Sequence, residues 1–520
     1  MATLDLLERG YQLNPMGDFL IMDESTMSYT QARDKVHQIA NALIQHGYRA
    51  GDIAAVLSPN DPVAFICSLA IQAAGLTYLP LNPYNSIDVN SSILDKLDCS
   101  LLLFQSGLAK VVDDLRQDFP RDMNYVCIDA DQDADLSLAG WLSDATTNRP
   151  QVWPRLDAPC FFGQTGGTTG EPKGVVISNR AITDFVQKSL IEQPSRGTPV
   201  YLAMTPMTHA AGILAYPIMA QGGTVIIMSK PDPGVFLHHL NNSGVTMTFV
   251  PPTILYGLLD IPGIRERDYS NLEYFLIGAA PVSTSKLREA IDVFGPVMCQ
   301  GYGQTECHTL ITLMRPGDLF AGGVPGDGEL LEHRLASCGR PTIGNTILVL
   351  GDDGEILQMG ELGEICVNSD LAMDGYYKDE QATTEAFVDG LIRTGDVGHV
   401  DEDGFLYLSD RKKDLIISGG FNIYPAEVEQ ALLSHPDVVE CAVIGVPDKK
   451  WGEVAKAVVQ LSGGASMSAE SLIKLCKKLL GSVKAPKTID FVETLPRSAV
   501  GKVLKNEIRE KYWGNQKRNI

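Results

Sequence analysis

The run Gln164-Thr165-Gly166-Gly167-Thr168-Thr169-Gly170-Glu171-Pro172-Lys173-Gly174 gathers glycines, threonines and one lysine into a single short stretch. Glycine lets backbone N–H groups turn inward with no side chain in the way. Threonine hydroxyls add donors and Lys173 adds a positive charge, which is the chemistry of a loop wrapped around phosphate oxygens. It is not a Walker loop, because no Gly-Lys-Ser/Thr follows a four-residue spacer after the first glycine. Composition alone would equally suit a flexible hairpin tip. A second stretch, Gly301-Tyr302-Gly303-Gln304-Thr305-Glu306, puts an aromatic ring between glycines, where its face can stack on a base. Thr305 can hydrogen-bond a phosphoryl oxygen, and Glu306 is a hard oxygen ligand suited to Mg2+. By itself Gly-Tyr-Gly is an ordinary turn. A third stretch, Leu276 to Pro281, reads as a strand ending in Gly278, Ala279 and Ala280, small enough for a flat purine to lie against the backbone.

Strands must bring these stretches together. Cys160-Phe161-Phe162 before the loop and Val175-Val176-Ile177 after it read as two strand ends. Upstream, Met27-Ser28-Tyr29-Thr30 reads as a strand end and helix cap, and apolar positions at Ala32, Val36, Ile39, Ala40, Leu43 and Ile44 then form a helical stripe. Ile53 to Leu57 reads as a buried strand, Pro62 to Ala74 as a helix, and Leu76 to Leu81 as the next strand. This alternation predicts a parallel α/β sheet. Asp129 to Pro150 is polar and reads as a surface excursion. Further strands are expected at Gly223 to Met228 and Met247 to Pro252. A Gly-rich acidic β region begins near Gly339, and strand and helix alternate again after Ala442.

At 520 residues the chain exceeds one ordinary core. Hydrophobic residues make up 44%, so packed globular units are expected. The net charge of −22 argues against nucleic acid or an anionic membrane as the main partner. The ten cysteines are scattered without zinc-type spacing; Cys160, Cys299, Cys338, Cys366 and Cys441 sit in apolar stretches and read as small core residues, and a reducing compartment fits best. Phe65 to Leu81 is interrupted by polar residues and does not read as a membrane span. With no secretory signal pattern at the start, a cytoplasmic protein is expected.

The order Thr-Gly-Gly-Thr-Thr-Gly-Glu-Pro-Lys-Gly resembles the signature loop of the adenylate-forming superfamily, in its acyl- and aryl-CoA synthetase branch. Five motifs in the same order extend the resemblance over nearly the whole chain. It implies a large N-terminal domain of stacked α/β sheets with a β-rich subdomain over 1–409, a hinge at 410–413, and a small mobile α+β C-terminal domain over 414–520. It implies that Gly278, Ala279 and Ala280 hold adenine and that Gly301, Tyr302, Gly303 and Thr305 complete the ATP site. Asp396 and Arg411 would bind ribose, Lys413 would be the pivot, and Lys502 would reach the α-phosphate. Gly419 and Gly420 would press a loop against the CoA channel. His209, a residue type more often structural when alone in an apolar stretch, would line the acyl pocket beside that channel. Ala211, Tyr256, Ala279, Gly301 and His308 are the further pocket candidates. Peptide-synthetase relatives place an aspartate soon after the His209 region to hold an ammonium. Thr208 to Met228 contains no acidic residue, which disfavours α-amino acids.

The resemblance therefore implies ATP-dependent activation of a small carboxylic acid to an acyl adenylate, with Thr165, Glu306, His209 and Lys502 as the catalytic set, followed by transfer to coenzyme A. A carrier protein as acceptor, a non-catalytic adenylate-binding module and a luciferase-like oxygenase are the alternatives.

Overall fold

The computed structural model describes residues 3–119, 122–130, 137–164, 173–465, 467–497 and 503–513, arranged around four sheets. Ile53–Leu57, Thr77–Leu81 and Leu101–Phe104 are wholly buried, as continuous apolar strands of parallel sheets are. They lie in a seven-stranded sheet with the order Gly375–Tyr376, Gly174–Ser178, Pro159–Gln164, Thr77–Leu81, Ile53–Leu57, Leu101–Phe104, Asn124–Cys127. The two strands flanking the glycine-rich loop form an antiparallel hairpin in which Gln164 faces Gly174. Thr165, Gly166, Gly167, Thr168 and Thr169 lie outside the described residues, as does Lys502.

A nine-stranded sheet runs in the order Arg340–Pro341, Thr312–Met314, Met298–Tyr302, Tyr274–Ile277, Met247–Val250, Val200–Ala203, Thr224–Ile227, Asp18–Met22, Ser25–Ser28. Helices Tyr29–Gln45, Pro62–Ala73, Asn179–Glu192 and Ala210–Ala220 fill the layer between the two large sheets. One core joins Val56 and Phe161 from the first sheet to Tyr201 and Val225 from the second. Ser28 opens its helix with a full capping box, its hydroxyl accepting from Gln31 N–H while the Gln31 side chain accepts from Ser28 N–H. Asp61 caps Pro62–Ala73 by accepting from the N–H groups of Val63 and Ala64, and every residue from Ala64 to Ala73 is buried. A helix apolar all round belongs inside a protein core or in a membrane. Here two sheets cover it, and among the described residues no helix is long and apolar enough to cross a membrane.

The segment after Asp129 is less of a surface excursion than its polarity suggests. Trp141 is buried and stacks on His46 at 3.9 Å. The carbonyls of Leu142 and Thr146 accept from Gln38 and Asn41, and the His37 ring meets the carbonyl of Thr147. Polar side chains on the helix Tyr29–Gln45 thus hold the segment by its backbone. All ten cysteines are unpaired and buried.

A third, antiparallel sheet pairs Asn345–Leu350, Gly363–Ser369, Leu391–Val400 and Phe387–Val388, with Leu406–Arg411 also on Leu391–Val400. A fourth pairs Phe421–Ile423, Ile416–Ser418, Gly452–Leu461 and Val438–Asp448, with Thr488–Val492 added in parallel to Gly452–Leu461. Helices Pro425–Leu433 and Ala469–Lys484 cover one face of the fourth sheet and Lys505–Trp513 the other.

Candidate active site

Tyr274–Ile277 and Met298–Tyr302 are parallel neighbours, with Ile277 opposite Gln300. Their carboxyl ends deliver Gly278-Ala279-Ala280 and Tyr302-Gly303 to one edge, where open α/β sheets bind ligands. The turn there is held in unusual conformations. Ala279, His308 and Thr309 all have positive φ, at 69°, 43° and 81°. For Thr309, a β-branched residue, that is a marked outlier. A Cβ at Gly303 would overlap the Thr309 carbonyl, so only glycine fits. A Cβ at Gly163 would overlap the Thr305 methyl, so this glycine lets the phosphate-loop hairpin of one sheet abut the end of the other. Thr305 reaches across this junction to the Gln164 carbonyl at 3.5 Å.

Tyr302 does more than present a face. Its hydroxyl donates to Asp396 Oδ2 at 2.7 Å, and burial beside that carboxylate raises the phenol well above its ordinary range, keeping it a donor. Asp396 faces Arg411 across the strand pair of the third sheet, and Arg411 Nε lies 3.4 Å from Asp396 Oδ1. Thr394 accepts from Asp396 N–H and donates to the Ile365 carbonyl, fixing the bend at Gly395. An aromatic ring, a carboxylate and a guanidinium, far apart in sequence, therefore meet at one rim. Such a set can stack on a base and bind a diol.

Beside it, Glu306 accepts from the Tyr376 hydroxyl at 2.8 Å, and Lys173 Nζ sits 4.7 Å from the centre of the Tyr376 ring. Sequence reasoning missed Tyr376, whose Gly375-Tyr376 pair is one of four Gly-Tyr pairs in the chain and marks nothing by itself. Among the described residues no group of three His, Cys, Asp or Glu side chains could hold a metal unaided. A single carboxylate fits Mg2+ that arrives on substrate phosphates and keeps its water, and Glu306 Oε2 is the oxygen it would take.

The proposed acyl-pocket residues do not all come together. His209 is half-buried and precedes helix Ala210–Ala220, whose first turn holds the wholly buried Ala211. Gly301 packs near Leu310 and Leu276 on the same face of the nine-stranded sheet as Ala211. Tyr256 packs on the opposite face, against the core of Val250, Phe275 and Ile277. Its hydroxyl accepts from Ser283 N–H at 2.7 Å, and burial pushes it up to about 12. It is therefore a cap on the backbone, and Gln430 donates to the neighbouring Val282 carbonyl from the fourth-sheet unit. His308 is also not turned toward a substrate. Its ring lies edge-on to Phe185 at 5.3 Å and near Phe161, is 1% exposed, and burial lowers it to about 3. The left-handed backbone at this position swings the side chain into the core behind Glu306.

In the segment 410–413, expected from the sequence as a hinge, Asp410 Oδ2 accepts from Ala426 N–H at 2.7 Å and Lys412 Nζ pairs with Glu364 at 3.3 Å. Burial and the neighbouring Arg411 hold Lys413 below the usual lysine range. Gly419 and Gly420 are exposed and form a two-residue turn between paired Ser418 and Phe421, with φ of 58° and 86°. Two positive φ values make it the hairpin turn glycine favours. A Cβ at Gly419 would also crowd the Trp451 ring. Sequence reasoning missed the ion pairs that tie the helix Lys505–Trp513 to residues following the 410–413 segment: Arg509 to Asp414 at 2.6 Å and Lys505 to Glu429 at 2.8 Å.

With this geometry in place, the chain was compared with known proteins. The family model described as AMP-binding enzyme matches residues 8–377, and that of the AMP-binding enzyme C-terminal domain matches 427–502. The medium/long-chain-fatty-acid–CoA ligase FadD8 of Mycobacterium tuberculosis is 34% identical over 95% of this chain and 87% of its own. A feruloyl-CoA synthase of Amycolatopsis sp is 34% identical over 94% of both chains. Among solved structures, the o-succinylbenzoate CoA synthetase MenE of Bacillus subtilis, bound to its acyl-adenylate intermediate OSB-AMP, superposes with a TM-score of 0.84 at 29% identity, covering 98% of each chain.

Proposed function

The chain belongs to the AMP-binding enzyme family, and we propose that it activates a carboxylic acid with ATP and passes the acyl group to coenzyme A. The observation that carries this reading is the meeting of Tyr302, Asp396 and Arg411 beside the Glu306–Tyr376–Lys173 cluster. One half suits a nucleoside and the other its phosphates.

In the first half-reaction the substrate carboxylate attacks the α-phosphorus of ATP. An oxygen–phosphorus bond forms, the bond to the β-phosphate oxygen breaks, and pyrophosphate leaves. A weak anionic nucleophile meets an anionic centre, so charge neutralisation dominates the barrier. Lys502 and the loop from Thr165 to Lys173 supply cationic and backbone donors. Mg2+, when bound at Glu306, adds charge on the phosphates. In the second half-reaction the CoA sulfur attacks the acyl carbonyl and AMP departs with the carboxyl oxygen it gained. One rim must serve a lysine first and a thiol later. The exposed Gly419–Gly420 turn belongs to the same sheet-and-helix unit as Arg497 and Val503, between which Lys502 stands in the sequence, so rotation about 410–413 would exchange the turn and the lysine.

The two relatives are named for fatty-acid and feruloyl substrates, which favours an acyl or aryl acid here. The lack of an acidic side chain from Thr208 to Met228 disfavours an α-amino acid. The test is pyrophosphate release across a panel of aliphatic, aromatic and polycyclic acids, followed by thioester formation with CoA alone. Acid-dependent release with CoA as sufficient acceptor is expected. No release with any acid would overturn the reading; release without thioester would move the acceptor to a carrier protein.

A further inference from the structure

Tyr376 occupies an unusual place. It lies on a two-residue strand, Gly375–Tyr376, that pairs with the start of Gly174–Ser178, so Tyr376 faces Val175 just beyond the glycine-rich loop. Its N–H donates to the Thr383 hydroxyl at 2.9 Å, and Gly375 takes φ of 144° where a side chain would crowd Thr383. Next along the chain, Tyr377 N–H donates to the Gly174 carbonyl at 2.8 Å, and its hydroxyl donates to Asp98 at 2.9 Å. The backbone at Tyr376 is thus fixed on both sides to the strand that leaves the loop.

The side chain then spans two groups from different elements. Its hydroxyl donates to Glu306 Oε1 and its ring face receives the Lys173 ammonium. The same segment also grips the Glu306 backbone, because Met373 N–H donates to the Glu306 carbonyl at 2.8 Å. A carboxylate that is to bind a cation through one oxygen needs the other oriented, and outer hydrogen bonds of this kind set ligand orientation and affinity. A cation over an aromatic face is attracted by the ring quadrupole, which holds it in place without cancelling its charge as a carboxylate would.

We propose that Tyr376 is a positioning residue that couples the phosphate loop to the metal-binding carboxylate, aiming Glu306 through its hydroxyl and Lys173 through its ring. This rests on the reading of the site as one for ATP and Mg2+. Tyr376→Phe removes the hydroxyl and keeps the ring; Tyr376→Leu removes both. Nucleotide affinity is measured by calorimetry with ATP alone and with ATP plus Mg2+, and Mn2+ binding to the protein–ATP complex by the loss of the free-ion paramagnetic signal. Tyr376→Phe should lose roughly ten- to a hundredfold in Mn2+ affinity, a larger loss than in its affinity for metal-free ATP. Tyr376→Leu should weaken metal-free ATP as well. Thermal midpoints of the Phe variant and the unaltered chain should agree, which separates positioning from folding. Equal metal affinity in the Phe variant and the unaltered chain would remove the inference alone. An unaltered chain that binds ATP no better with Mg2+ than without would remove the underlying reading too.

Discussion

The large body and the hinge side of this molecule hold their polar groups in different ways. In the body, strand register places Tyr302 and Asp396, a neutral tyrosine hydroxyl donates to each of Asp396 and Glu306, and Arg411 adds a charged partner to Asp396. From the segment 410–413 onward, ion pairs make connections: Lys412 reaches Glu364 of the third sheet, while Arg509 to Asp414 and Lys505 to Glu429 tie the helix Lys505–Trp513 into its own fourth-sheet unit. A register-fixed group returns to the same place after every turnover. A long cationic side chain can release one carboxylate and take another with little change in geometry. The contrast is what an enzyme needs if one part grips a nucleotide and another swings past it.

The largest effect that would sharpen this contrast is expected at Lys502, in the part proposed to rotate. Lys502→Ala should slow adenylation by roughly 10²–10³-fold or more, the scale of a lost donor to a developing charge. It should spare thioester formation from supplied acyl adenylate. Equal loss in both half-reactions, measured separately, would mean the lysine is not exchanged between steps.

Next comes stability on the hinge side. Glu429→Ala leaves Lys505 without its closest carboxylate in a crowded setting, where burial disfavours the charge and Glu429 and Asp410 restore it. Breaking such a pair from one side costs about 3 kcal/mol when little water reaches it. The shift is read as a lower urea midpoint for the transition of the small unit. A midpoint within error of the unaltered chain would show the pair to be solvated and energetically idle.

Smaller still is an effect of pH on the body. His308 is lowered to about 3 in the folded state, well below the unfolded value near 6.5. Between those values the unfolded chain binds a proton that the folded chain does not. The contribution is therefore complete above about pH 6.5 and is lost as pH falls, by roughly 1.4 kcal/mol per pH unit. His308→Asn tolerates the left-handed backbone and should flatten the stability profile between pH 7 and 5. Parallel profiles for the two proteins would show that the ring is protonated in the fold.

The body was legible in the sequence wherever one element decided the outcome. Ile53 to Leu57 had to be buried, the loop had to join two strands, and Ser28 had to open a helix. Tyr302 stood out as an aromatic between two glycines and Glu306 as a hard oxygen ligand beside it, whereas Asp396 alone reads as a turn residue and was picked out by the resemblance. What escaped depended on register between distant elements. Tyr376 reaches Glu306 only because a two-residue strand pairs with Gly174–Ser178, and no periodicity marks so short a strand. Tyr256 and His308 looked like pocket residues because their neighbours do. The sheet face taken by one and the left-handed backbone of the other send their side chains elsewhere.

The central claim is that Asp396, held between Tyr302 and Arg411, grips the nucleoside of ATP. Titrating ATP into the unaltered chain and into Asp396→Ala by calorimetry tests it directly. Losing hydrogen bonds to a charged acceptor is worth about 1.5–3 kcal/mol, so the variant should bind at least roughly tenfold more weakly. Equal affinity in the two proteins would contradict the account.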